Sequence, residues 1–90
     1  MRLSQYGDEQ LISRSKAKRL LARVDKFKTV VLDFEGVNAI GHSYADEIFR
    51  VFATANPAIE LLAINTNAEV RAMVNQARRD AAESSVTNQL

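Results

Sequence analysis

Thr29-Val30-Val31-Leu32-Asp33-Phe34-Glu35-Gly36 is the stretch on which the fold turns. Its first six residues are β-branched or apolar at both parities, Asp33 apart. That pattern predicts a central strand covered on both faces. Gly36 ends it, and Val37 to His42 form a loop holding a second glycine, Gly41.

Working outward, Ser13 stands where an N-cap would, its hydroxyl placed to accept from a free N–H of a first helical turn. Ala17, Leu20, Leu21 and Val24 then recur at i, i+3, i+4, i+7 and predict an amphipathic helix from Arg14 to Lys26. Lys16, Arg19, Arg23 and Lys26 fall opposite that stripe, with Arg14 and Lys18 flanking it. Further upstream, Leu3 and Tyr6 are expected on a strand, Gly7-Asp8 in a turn, and Gln10-Leu11-Ile12 at the end of a second extended piece.

On the other side, Ser43-Tyr44-Ala45-Asp46 has the spacing of a capping box. Ala45, Ile48, Phe49 and Phe52 repeat at helical spacing, and Asn56-Pro57 stops that helix. Ile59 to Ile64 reads as another strand. Asn65-Thr66-Asn67 supplies capping side chains, and Val70, Met73, Val74, Ala77 and Ala81 give a third helix. The expected fold class is α/β, a small mostly parallel or mixed sheet with three helices in β-α-β-α-β-α order. Residues 1–83 form a single domain, and 84–90 are expected to be a disordered tail.

Composition narrows the chemistry. Ninety residues hold one core, and 47% hydrophobic with 26% charged residues describe a soluble globular chain. There is no cysteine and one histidine, His42. Disulfides, thiolate sites, cysteine nucleophiles and a multi-histidine metal centre are thereby excluded within one chain, and a reducing cytoplasm is the expected location. No apolar run approaches the ~20 residues of a membrane span. The net charge is +1, but Arg14, Lys16, Lys18, Arg19, Arg23, Lys26 and Lys28 fall in one stretch with Asp25 as its only acid.

In open α/β sheets ligands gather beyond the carboxyl ends of the strands. Here that edge holds Asp33, Glu35, Gly36, the Asn38–Ser43 loop and Asn65-Thr66-Asn67. Gly41-His42-Ser43 opens the second helix, where free N–H groups favour an anion or a phosphate on Ser43; the plainer role for Ser43 is a cap. His42 as a base has no assignable acid to orient it, so an exposed loop histidine is the simpler reading. Asp33 and Glu35 face one side of a strand, but capping the adjacent loop is a plainer role than holding a metal. P-loop, GxGxxG and HExxH motifs are lacking. The basic helix face suits phosphates, yet no aromatic or amide interleaves its cations between Arg14 and Lys26 to read bases.

Several stretches together resemble the STAS-like domain family of unknown function, DUF4325. They are Ile12-Ser13-Arg14-Ser15, Ala17-Lys18-Arg19-Leu20-Leu21, Val31 to Val37, Ile40-Gly41 and Ala45 to Phe52, and the resemblance runs from Ile12 to Met73. It implies the small sheet-and-helix fold of the anti-sigma-factor antagonists. In those proteins a serine at the start of the second helix is phosphorylated by a partner with a histidine-kinase-like ATPase domain, which breaks their complex. Aligned on Asp33…Gly36-Val37, the acid of the antagonists' Asp-Ser motif falls on Gly41 and the serine on His42. Either Ser43 serves with a one-residue shift, or the switch is lost.

The expectation is therefore a non-catalytic, bacterial signalling domain without cofactor or metal. It would bind a histidine-kinase-like ATPase or anti-sigma-type regulator, either as a separate protein or fused to it in a longer parent chain. The contact surface is expected at Gly41, His42, Ser43, Tyr44, Asp46, Glu47 and Arg50, with Ser43 as the candidate phosphorylation site. The alternatives are a nucleic-acid-associated regulator using Lys16, Arg19, Arg23 and Lys26, and a nucleotide or small-ligand sensor. Exposed strand edges in so short a sheet are compatible with a homodimer.

Overall fold

The computed structural model describes residues 1–6 and 11–88. Helix α1 spans Arg14–Leu21 and strand β1 Thr29–Asp33. Helix α2 begins as His42–Asp46, widens into a π-helical stretch, Glu47–Phe52, and closes with Ala53–Ala55. Strand β2 spans Glu60–Ile64 and helix α3 Ala68–Asn88, which carries the backbone past Ser84. A 3-10 turn, Leu3–Tyr6, precedes them all.

β1 and β2 pair in parallel, from Thr29 opposite Glu60 to Asp33 opposite Ile64. Parallel neighbours cannot be joined by a hairpin, so α2 is the crossover between them. The expected β-α-β-α-β-α order needs correction, because among the described residues the sheet has two strands. Leu3 to Tyr6 is helical rather than extended, and Leu11 and Ile12 lie outside any strand. The Gly7-Asp8 turn and Gln10 fall outside the described residues. What stands in for the first strand is a single parallel bridge, Arg2 to Asp33. The Asp33 N–H donates to the Met1 carbonyl at 2.7 Å, and the Met1 ammonium donates to the Val31 carbonyl at 2.8 Å. Leu3 then turns fully into the core, which ends the pairing after two residues.

The second correction concerns coverage of β1. Val30 and Leu32 are buried, but Val31 is 37% exposed and its cross-strand neighbour Leu62 40%. The described helices cover the face that carries Val30, Leu32, Leu61 and Ala63 and leave the other open. Apolar residues at both parities therefore mark a buried face and an open face carrying Val31, Leu62 and Ile64.

Ser13 caps α1 as its position predicts, its Oγ accepting from the Lys16 N–H at 3.2 Å. Ala17, Leu20 and Leu21 face the core. The helix is shorter than its periodicity suggests. After Leu21 the chain tightens, with the N–H groups of Arg23 and Val24 donating to the Leu20 and Leu21 carbonyls, yet Val24 still reaches the core from this turn.

In α2, Tyr44, Ala45, Asp46, Glu47, Ile48 and Phe49 are all buried. Six consecutive positions wrap the whole circumference of a helix at 3.6 residues per turn. α2 is accordingly the central helix, meeting both α1 and α3. Its wide turn is seen where the Ala53 N–H reaches the Ile48 carbonyl, five residues back. Asn56-Pro57 ends it as expected, with Asn56 Nδ2 donating to the Phe52 carbonyl at 3.0 Å.

Candidate functional site

The N-terminus of α2 is set by Gly41, the last extended residue before the helix. Its N–H donates to the Leu11 carbonyl at 2.8 Å. A Cβ at this position would stand 2.5 Å from the Ile12 carbonyl oxygen and 2.8 Å from Ile12 Cα. Only glycine lets the two backbones approach this closely. The loop before α2 is thus clamped to the segment before α1.

The capping box is not formed. Gly41 occupies the N-cap position without a side-chain bond, and His42 and Ser43 are already helical. Both are exposed. Asp46 turns inward instead. Its side chain is 8% exposed and receives three charged contacts. Arg50 holds it with two nitrogens, Nε to Oδ1 and Nη2 to Oδ2 at 2.8 Å. Arg14 on α1 adds Nη2 to Oδ2 at 2.9 Å. Arg14 also donates from Nη1 to Glu47 Oε1 at 3.1 Å. The Arg50 hydrogen bonds, with Arg14 behind them and burial opposing, hold the Asp46 carboxyl down to about 2.

Burial therefore withdraws three residues from the expected contact surface. Tyr44 is 1% exposed, and Asp46 and Glu47 are each 5% exposed, within this one chain. Gly41 and Arg50 are half-buried, while His42 and Ser43 face solvent. Reading the sequence missed Arg14 as a member of this group. The Asp46–Arg50 pair was missed as well, although its i,i+4 spacing is a local signal that could have found it. Nothing local joins Arg14 to residues more than thirty positions away.

At the carboxyl ends of the strands, Asp33 accepts the Glu35 N–H at 2.9 Å and Asn65 Nδ2 at 3.1 Å on one oxygen, Oδ1. These bonds, the backbone one foremost, lower its pKa. Asp33 thus closes the loop, the plainer of the two roles its position offered. Gly36 in that turn has φ 81°, the left-handed region where glycine is favoured. Asn67 links the same edge to α3. Its Oδ1 accepts the Val70 N–H at 2.8 Å, and its Nδ2 donates to the Val37 and Asn38 carbonyls at 3.3 and 2.8 Å. Among the described residues, no three His, Cys, Asp or Glu side chains are grouped to hold a metal ion.

Of the four basic residues expected on one helix face, Lys16 and Arg19 lie on α1, whereas Arg23 and Lys26 fall on the turn that follows it, because the helix ends at Leu21. Arg19, Arg23 and Lys26 are exposed and Lys16 is half-exposed. Beside this face an open depression of about 220 Å³ lies between α1 and α2, lined by Lys18, Asp25, Glu47, Phe52 and Asn56 among others. No described helix is long and apolar enough to cross a membrane.

Comparison with curated proteins and with solved structures yields no match. A family model does match, over residues 16–71, which take in α1 from Lys16 onward, both strands, α2 and the first turn of α3. That span covers more than half of the chain and is described as a STAS-like domain of unknown function, DUF4325, and the protein belongs to that family.

Proposed function

We propose that this domain is a non-catalytic regulatory module that binds a partner protein through the exposed first turn of α2 and the loop before it. The partner class is a histidine-kinase-like ATPase or an anti-sigma-type regulator, the kind of partner that the likeness to anti-sigma-factor antagonists implies. The contact residues are His42 and Ser43, with Gly41 and Arg50 at its margin. The observation that carries this reading is the placement of Ser43. It is exposed on a helix turn whose next turn holds the buried Asp46 and Glu47.

Residues three and four apart on a helix are neighbours. A phosphate on Ser43 would bring nearly two negative charges beside Asp46 and Glu47. It would repel both carboxylates and compete with them for Arg14. Because Arg14 ties α1 to α2, the modification would loosen that contact as well as change the charge met by a partner. Tyr44, Asp46 and Glu47 then act from beneath the surface, by holding the first turn in place.

The test compares the wild-type domain with Ser43→Asp and Ser43→Ala as bait in a lysate of the source cell. Retained proteins are identified by mass spectrometry, and the affinity of the purified partner is then titrated. Retention of an ATPase or anti-sigma-type protein by wild type and Ser43→Ala, with affinity at least tenfold weaker for Ser43→Asp, supports the reading. Equal affinity for all three forms sinks it.

A further inference from the structure

Between Lys16 and Lys28 the chain carries charge that the fold itself does not use. Arg14 and Arg50 are engaged with Asp46 and Glu47. Lys16, Lys18, Arg19, Arg23, Lys26 and Lys28 make no ion pair with any described residue. All are exposed except Lys16, which is half-exposed. Asp25 is the only carboxylate among these six cations, in a chain whose net charge is +1. The excess is thus local, on one helix face and the turn that follows it.

One residue in this stretch is not explained by charge. Phe27, between Lys26 and Lys28, is 59% exposed, with Ile12 at 58% the most exposed of the large apolar side chains among the described residues. Its N–H donates to the Val24 carbonyl at 3.1 Å, so the ring projects from an ordered turn whose Val24 is anchored in the core. An aromatic ring left in water keeps a large apolar surface unburied. An acidic protein surface would answer the cations and leave the ring unused. A nucleic-acid duplex offers phosphates but hides its base faces in the stack. A single strand offers both phosphates and bare base faces.

We infer that the α1 face and the turn after it form a binding surface for single-stranded nucleic acid, with Phe27 stacking on a base and Arg19, Arg23, Lys26 and Lys28 tracking the phosphates. Recognition is sequence-tolerant, because every base has a face to stack and phosphate contacts carry no sequence information. The surface lies on α1 and its following turn, whereas the proposed protein contact lies on α2. The two readings therefore stand or fall separately.

Fluorescence anisotropy with a labelled 12-nucleotide oligothymidylate, and with a duplex of the same length, tests the inference. The single strand is expected to bind more tightly than the duplex. Raising salt from about 50 to about 200 mM should weaken it roughly 50-fold if four cations meet phosphates. Phe27→Ala should lower affinity about tenfold while keeping that salt dependence. Arg19→Glu with Arg23→Glu should abolish binding. These side chains are exposed, so each variant is expected to keep the wild-type circular dichroism melt. Absence of oligonucleotide binding at low salt overturns the inference. So does tighter duplex binding, or a Phe27→Ala variant that binds as well as wild type.

Discussion

Arg14, on the first turn of α1, meets Asp46 in the buried middle of α2 at 2.9 Å. The contact joins two helices that the loop and strand between them would otherwise leave to packing alone. It also places a half-exposed cation over two buried carboxylates, since the same guanidinium reaches Glu47. A carboxylate withdrawn from water needs such partners to stay ionised.

Asp46→Asn is expected to destabilise the domain by about 2 kcal/mol, the scale of a hydrogen bond to a charged group. The amide keeps one acceptor oxygen and presents an NH₂ to a guanidinium. Urea unfolding measures the loss. In an Arg14→Met background the same change should cost less, because one of the two guanidinium partners is already gone. An identical cost in both backgrounds would show that Arg50 alone sustains Asp46.

Acid sensitivity follows from the same group. The Asp46 carboxyl is lowered from its ordinary 3.8 to about 2 in the fold. A depressed pKa contributes stability that is fully present above the unfolded value and disappears as pH falls through the folded value. The window is therefore from about pH 5 down to about pH 2, and the contribution lost there is about 2 kcal/mol. Thermal melts across that range should show a steeper decline for wild type than for Asp46→Asn. Parallel curves would assign the acid loss to other carboxylates.

Gly41→Ala is expected to cost about 2 kcal/mol, the range of overpacking a filled site. The obstruction is the backbone of Ile12, not the end of a flexible side chain. The Gly41 backbone angles are ordinary for any residue, so the cost comes from lost space and not from torsional strain. A drop in melting temperature of several degrees is the expected reading. An unchanged melt would mean that the Leu11–Ile12 segment moves freely away from the loop.

The sequence by itself determined the local elements whose signals lie within a few residues. Ser13 as a cap, the Ala17–Leu20–Leu21–Val24 core stripe, the Asn56-Pro57 stop and the Asn67 cap of α3 all follow from side-chain chemistry acting over one helical turn. The two parallel strands were also legible, because β-branched runs separated by a helical period admit few other arrangements. The family resemblance was carried by the same stretches. The tertiary structure decided everything that depends on which surfaces meet. Val31 and Val30 look alike in sequence, and only packing of the described helices on one face leaves Val31 open. Leu3 could extend a strand, but its burial bends the chain into a 3-10 turn. Asp46 has capping spacing from Ser43, yet the energy of a buried carboxylate is dominated by guanidinium contacts, and one of those comes from a distant helix. Hydrogen bonds along a turn are encoded by neighbours, whereas burial and charge pairing are properties of the whole assembled core.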